Sequence, residues 1–230
     1  EATYTNTYGK FVVQPLERGF GTTVGNALRR VLLSSLPGAA ITMIRIDNVY
    51  HEFTTIPGVV EDVAEIVLNL KEVRLKLLNK RPDKIALQLK GPRQLKASDI
   101  QNGTTDFEIL NPDLHLATLN DDADFNLELK IGRGKGYVPA EENKLPDQPI
   151  GAIPIDAIFS PIYNVSYHVE PTRVGHKIDF EKLTIEIETD GSITPDDALT
   201  YAGKILKDHI QLFINFDIEP EEEETSEIDE

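Results

Sequence analysis

Two glycine-rich segments of this chain carry residue types that could do chemistry. The first is Gly19-Phe20-Gly21-Thr22-Thr23-Val24-Gly25. A short apolar run, Phe11 to Gln14, precedes it, an amphipathic stretch follows it, and the run Ala40 to Ile46 beyond ends in Asp47. Strand, glycine turn, helix, strand and acid come in the order of a dinucleotide-binding unit. There, helix amides hold a pyrophosphate and the acid holds a ribose. That reading would make the chain a nicotinamide-dependent oxidoreductase. Two features argue against it. Pro15-Leu16-Glu17-Arg18 separates the strand from the turn, and after Asp47 the chain does not continue the strand–helix alternation of a doubly wound fold. The second segment runs from Gly132-Arg133-Gly134-Lys135-Gly136-Tyr137 to Asn143. Glycines alternating with two cations predict a flexible, backbone-exposed loop. It suits a surface turn first, docking onto a partner with Tyr137 as anchor second, and an anion site third.

No other constellation points to catalysis. The histidines His51, His115, His168, His176 and His209 have no ligand spacing. His209 falls on an apolar helix face, where a satisfied core histidine is the better reading. The serines lack a nucleophile-elbow context, no Gly-Lys-Ser/Thr phosphate loop occurs, and sequence alone pairs no two carboxylates. The chain is therefore read as having no catalytic, cofactor-binding or metal-binding residues.

The elements around these segments are legible. From Tyr8 to Leu16 the alternation predicts a strand. Pro15 to Gly38 predicts a glycine turn, an amphipathic helix and a stop, with Thr22 or Thr23 as cap and Pro37-Gly38 as terminator. Val24, Ala27, Leu28, Val31, Leu32 and Ser35 share one helix face, the expected core stripe; Asn26, Arg29, Arg30 and Leu33 lie opposite. An exposed leucine beside two arginines is typical of an interface, so this helix is expected to offer that face to a partner. Ala39 to Phe53 reads as a strand or bent pair. A second helix follows Pro57, with Val59, Val63, Ile66, Val67 and Leu70 as its stripe and Glu61 and Asp62 at its start.

From Arg74 to Arg133 the pattern changes to period two, broken by turn signals at Arg81-Pro82-Asp83, Gly91-Pro92, Asn102-Gly103, Asn111-Pro112-Asp113 and Asp121-Asp122. Gly132 to Pro149 is expected as a long loop, and Ile153 to Glu170 and Lys182 to Gly191 as further strands. A last helix starts at Thr194 as cap, with Pro195, Asp196 and Asp197 in its first turn. Ala198, Tyr201, Ala202, Ile205, Leu206, His209, Ile210, Leu212, Phe213 and Ile214 cover more than half its circumference, so it is either central or packed against a second copy. A symmetric dimer built from the first and last helices is the preferred reading.

With 230 residues, 40% of them hydrophobic, the chain can bury one large core or two smaller ones. The formal charge is −16 and cysteine is absent, which fits a reducing cytoplasm and makes tight binding to phosphate backbones by this chain a poor prospect. No apolar run is long enough to span a membrane, and no basic-then-apolar leader is recognisable. The acid-rich tail 219–230 reads as a disordered linker to a domain beyond it. Helix-and-strand segments flank a β-rich middle. The expected fold is α+β: a discontinuous unit of helices on an antiparallel sheet (residues 1–50 and 165–218) with an inserted β-rich unit (51–164).

Three segments in order, Leu16 to Ser35, Gly58 to Lys71 and Gly132 to Asn143, closely resemble the N-terminal domain of the bacterial RNA polymerase alpha subunit and its plastid versions. The resemblance runs from about Phe11 to Phe216; the family's segment ahead of the first strand is shortened here. It implies a dimeric scaffold without catalytic residues, on which the beta and beta-prime subunits assemble, with DNA contacted only through the complex or through a C-terminal domain beyond the acidic linker. It ties the second arginine of Asn26-Ala27-Leu28-Arg29-Arg30 to beta binding. On that basis one copy of the Asn26, Arg29, Arg30, Leu33 face would meet beta and the other copy beta-prime. Glu61, Asp62, Arg133, Lys135 and Tyr137 would help discriminate between them. Val24, Leu28, Val31, Leu32, Ile205, His209, Leu212 and Phe213 would form the dimer interface. Cofactors are none, the location cytoplasmic. The rival classes are the oxidoreductase above and a free-standing acidic interaction protein.

Overall fold

The leading alternation folds as β1 (Tyr8–Glu17), the stretch behind the glycine turn as α1 (Phe20–Ser35), and the apolar run after it as β2 (Pro37–Ile46). This is a computed structural model, and it describes residues 4–79, 84–101, 106–144, 148–174 and 177–214. Next come α2 (Val63–Lys71), β3 (Leu75–Leu77), β4 (Lys84–Lys90), β5 (Arg93–Lys96), the short α3 (Ala97–Gln101), β6 (Phe107–Ile109), β7 (His115–Leu119) and β8 (Asp124–Lys135). β9 (Tyr137–Val138), α4 (Ala140–Asn143), β10 (Ala152–Pro154) and β11 (Ala157–Ile158) are small. Two long strands, β12 (Ile162–Val174) and β13 (Lys177–Thr189), lead into α5 (Pro195–Ile210), which tightens into a 3-10 turn at Gln211–Phe213. His176, the acidic tail 219–230 and the turn signals at Arg81-Pro82-Asp83 and Asn102-Gly103 lie outside the described residues.

The fold is α+β and its strand pairs are antiparallel. Both ends of the chain meet in a three-stranded sheet ordered β1-β13-β12, against which α1 and α5 pack. A six-stranded sheet follows the path β4-β8-β2-β3-β6, with β10 added beside β2. β5–β7 and β9–β11 form two-stranded ribbons. The strands before and after α1 therefore belong to different sheets. This removes the parallel strand–helix–strand unit that a dinucleotide fold requires.

Each sheet has its own core. The six-stranded sheet and α2 enclose Ile44, Ile66, Leu70, Phe107, Leu116, Leu127 and Leu129 among others, all essentially inaccessible. The helical expectation for α2 holds from Val63 on; Val59, expected on its stripe, precedes the helix and bridges Leu119 of β7 instead. Val63, Ile66, Val67 and Leu70 are buried, and Asp62 caps the helix by accepting from the Glu65 amide at 2.7 Å while Glu65 reaches back to the Asp62 amide. The three-stranded sheet packs Val165, Leu183, Ile185 and Ile187 against Leu32 and Leu36 of the α1 segment and Ala198 and Ala202 of α5. β2, which the sequence placed ahead of a boundary at residue 50, pairs with β8 inside the six-stranded sheet.

Several expectations are corrected. α1 is not capped by Thr22 or Thr23; it begins at Phe20 behind Gly19, whose φ of 90° suits glycine. Gly38 is extended and opens β2 with Pro37; it is glycine because a Cβ there would lie 1.8 Å from the Phe159 carbonyl oxygen. The loop expected from Gly132 is strand as far as Lys135. Gly134 pairs with Gly38 in register, and a Cβ on it would come 2.5 Å from the Phe159 ring. α5 stops at Ile210, and the Thr194 hydroxyl donates to Asp197 rather than accepting from the helix backbone. His209 is exposed, not core, and its Nδ1–H donates to the Ile205 carbonyl at 2.7 Å.

Candidate subunit interface

α1 does not present the faces its apolar residues suggest. The line it lays on the sheet runs through Gly21, Gly25, Leu32 and then Leu36. A Cβ on Gly25 would sit 2.7 Å from the Tyr167 ring, so the glycines let the helix come down closely and turn its valines outward. Val24, Leu28 and Val31 are consequently half-buried on the flank facing α5, while Leu32 is fully inside the chain's own core and out of reach of any partner. The opposite face divides. Arg29 is pinned, its Nε donating to the Val165 carbonyl at 3.1 Å, and Leu33 packs half-buried against the small core. Asn26 and Arg30 remain open. With Thr22, Thr23, Ala27 and Val31 they line a groove whose other wall is Leu206 of α5. Among the described residues Arg30 has no acidic partner, whereas Lys10, Arg45, Lys71 and Lys182 are all paired. An unpaired guanidinium beside apolar groups is equipped to take a carboxylate in a two-pronged contact.

The second cationic segment comes close to this helix. Gly136 turns the chain with φ 60°, and a Cβ on it would lie 3.5 Å from the Ser34 carbonyl at the end of α1. Arg133 and Lys135 are exposed on β8 and Tyr137 is exposed on β9. The segment is braced from behind by Asp156. That carboxylate takes Lys71 Nζ at 2.8 Å and the Ala140 amide at 2.8 Å. The Lys71 contact first, then the Ala140 N–H and the Tyr137 hydroxyl, hold its carboxyl below the usual range, against a smaller upward push from burial. Neither Asp156 nor Lys71 carried a sequence signal, because the pair joins α2 to the β10–β11 link.

Glu61 and Asp62 are occupied elsewhere. Asp62 is the α2 cap. The Glu61 carboxylate accepts from the Thr118 amide at 2.6 Å, from the Thr118 hydroxyl at 3.0 Å and from His115 Nε2 at 2.9 Å. Burial pushes the Glu61 carboxyl up, but the Thr118 N–H and the His115 contact outweigh it and hold the group below its ordinary value. Glu61 fastens the bend before α2 to β7, while Asp62 closes the start of α2 itself.

α5 is not central. Pro195, Ala198 and Ala202 are buried and Ile205 is half-buried, but beyond His209 the helix runs off its support. Leu212 is 70% exposed, Phe213 75% and Ile214 62%.

The nucleotide reading fails at its own atoms. The amides of Gly19 and Gly21, which would hold a pyrophosphate, both donate to Glu181 at 2.9 Å, and Asp47 accepts from Asn126. Among the described residues no three His, Cys, Asp or Glu side chains gather as a metal set, and no helix is long and apolar enough to cross a membrane.

Residues 44–160 match the family described as RNA polymerase Rpb3/RpoA insert domain. The DNA-directed RNA polymerase subunit alpha of Chloroherpeton thalassium is 57% identical over 228 residues, covering 99% of this chain and 70% of that protein. The protein of the same name from Chlorobaculum tepidum is 59% identical over 227 residues, 99% of this chain and 69% of its own length. That of Alkaliphilus oremlandii is 57% identical over 209 residues, 91% and 66% respectively.

Proposed function

The chain belongs to the alpha-subunit family of DNA-directed RNA polymerase, and from that premise we propose that it is a non-catalytic assembly scaffold. It pairs with a second copy through the flank of α1 and the far end of α5, and offers the Asn26–Arg30 groove to the large catalytic subunits, beta on one copy and beta-prime on the other. Its place of work is the cytoplasm, where such a polymerase assembles.

The observation that carries this reading is the unfinished second core. A helix end bearing Leu212, Phe213 and Ile214 in the open is a poor surface for an isolated chain. Val24, Leu28, Val31 and Ile205 continue the same apolar strip toward it, so the proposed interface omits Leu32 and keeps these four with His209, Leu212 and Phe213. A two-fold arrangement would lay two such strips on each other. Arg30 supports the second part: its unpaired guanidinium asks for an acidic group on the partner. The segment Arg133 to Tyr137, which abuts the end of α1, would extend the same contact. Glu61 and Asp62 drop out of it, being spent on α2 and β7. The accompanying division of the chain is a two-ended dimerisation unit and an inserted unit, and the two cores favour placing its boundaries at Leu36 and Pro161 rather than at residues 50 and 165.

Light scattering across a dilution series tests the dimer. A mass near twice 25.7 kDa that persists on dilution is expected, and a clean monomer would sink it. Arg30→Ala should keep that mass and lose capture of the beta subunit; loss of the dimer instead would make Arg30 structural.

A further inference from the structure

We propose that Glu181 positions the groove: from the far end of the chain it caps α1 and sets the placement of Thr22, Thr23 and Asn26. This rests on reading α1 as the subunit-binding helix.

α1 begins without local help. It has no side-chain cap and no acid in its first turn. An α-helix start exposes unsatisfied amides and the positive end of the backbone dipole, and both attract a carboxylate. Glu181 supplies one from β13, where it lies opposite Leu16 of β1 in register. Its Oε1 accepts from the Gly19 amide at 2.9 Å and its Oε2 from the Gly21 amide at 2.9 Å, so one carboxylate clasps both sides of Phe20. The fit demands glycine: a Cβ on Gly21 would stand 2.7 Å from Glu181 Oε2 and 2.7 Å from Val169. The turn itself adds only Thr23, whose amide and hydroxyl both bond the Gly19 carbonyl.

The two halves of α1 are thus held by different means. Leu32 and Leu36 anchor the C-terminal half by burial. The N-terminal half, which supplies Thr22, Thr23 and Asn26 to the groove, depends on Gly21 and Gly25 lying flat and on the Glu181 clasp. Releasing the clasp frays the first turn and spoils that end of the groove while leaving the core and the apolar flank in place. The same clasp accounts for the glycine pattern without any nucleotide.

The test uses the 230-residue chain with Glu181→Gln and Glu181→Asp, and Arg30→Ala alongside. Glutamine presents an amide donor to one of the two N–H groups; aspartate keeps the charge on a shorter arm. Glu181→Gln should speed hydrogen exchange at Gly21, Thr22 and Thr23 roughly tenfold, leave exchange at Leu32 and the dimer mass unchanged, and weaken beta-subunit binding by roughly three- to tenfold. Glu181→Asp should recover part of both losses. Unchanged exchange in Glu181→Gln overturns the cap. Faster exchange with undiminished beta binding overturns the positioning role, provided Arg30→Ala does weaken binding. If Arg30→Ala binds beta normally as well, the α1 reading is what fails. Global unfolding of both Glu181 variants would make the residue purely structural and overturn the proposal.

Discussion

Among the described residues, the core on the six-stranded sheet holds 28 buried apolar side chains with five more half-buried against it, while the core on the three-stranded sheet holds nine with eleven half-buried. The first is mostly sealed by sheet, α2 and the ribbons, although Leu68 of α2 and Phe53, Val60 and Ile150 on the segments around it stand exposed. In the second, half-burial is the commoner state, and its last helix ends in exposed apolar residues. Apolar area left at half exposure is stabilisation not yet collected, on the order of 25 cal/mol for each Å² that a partner removes from water. On the proposed reading, the first region finishes folding within its own chain and the second is completed by contact with a partner.

The comparison breaks or sharpens with a few substitutions. The largest effect belongs to the closed core. Phe107→Ala, at a side chain 1% exposed, should cost about 3–5 kcal/mol in denaturant unfolding, the same at every protein concentration. A concentration-dependent loss there would mean that this core, too, leans on a partner. In the open region, Phe213→Glu should abolish the doubled mass in light scattering and remove any dependence of the thermal midpoint on concentration. A dimer that survives it would detach α5 from the interface. Gly134→Ala drives a methyl into the Phe159 ring and should cost about 1–3 kcal/mol by overpacking. Glu61→Gln comes next, at about 1–2 kcal/mol near neutral pH. The folded carboxyl lies below its ordinary value of 4.5, so its stabilisation is present above that pH and fades as pH falls through the folded value. Urea midpoints of wild type and Glu61→Gln should therefore converge in acid; a gap that stays constant with pH would assign the effect to packing. Arg30→Ala should be smallest in stability, within about 0.5 kcal/mol, although it removes partner capture.

Much of this was legible along the chain. α2 could be read from Val63, Ile66, Val67 and Leu70 with Asp62 and Glu65 before them, because capping and periodicity are exchanges between near neighbours. The alternating strands Lys84–Lys90 and Asp124–Lys135 were similarly plain until the glycines. There the reading went wrong for a definite reason. Glycine normally signals a turn, but Gly134 is a place where Phe159 lies flat on the sheet, and Phe159 is distant in sequence. The face of α1 was misjudged for the same reason. Glycines do not count as apolar in a periodic pattern, yet Gly21 and Gly25 are the residues on which the helix rests. Of the interface candidates, Arg30 and Phe213 were named from their own neighbourhoods; Leu32 was misassigned because a stripe cannot say which of its members is deepest.

The sequence by itself determined the antiparallel, α+β character of the chain, the start of α5 and the apolar excess that α5 carries, since these follow from the order of side chains a few residues apart. Only the tertiary structure decided which sheet β2 joins, which side of α1 stays open, and that the amides of Gly19 and Gly21 are filled by a carboxylate 160 or more residues away. A helix start advertises that it wants an anion. Whether a ligand or the protein itself supplies it depends on which strand is brought alongside, and that is set by packing across the whole fold.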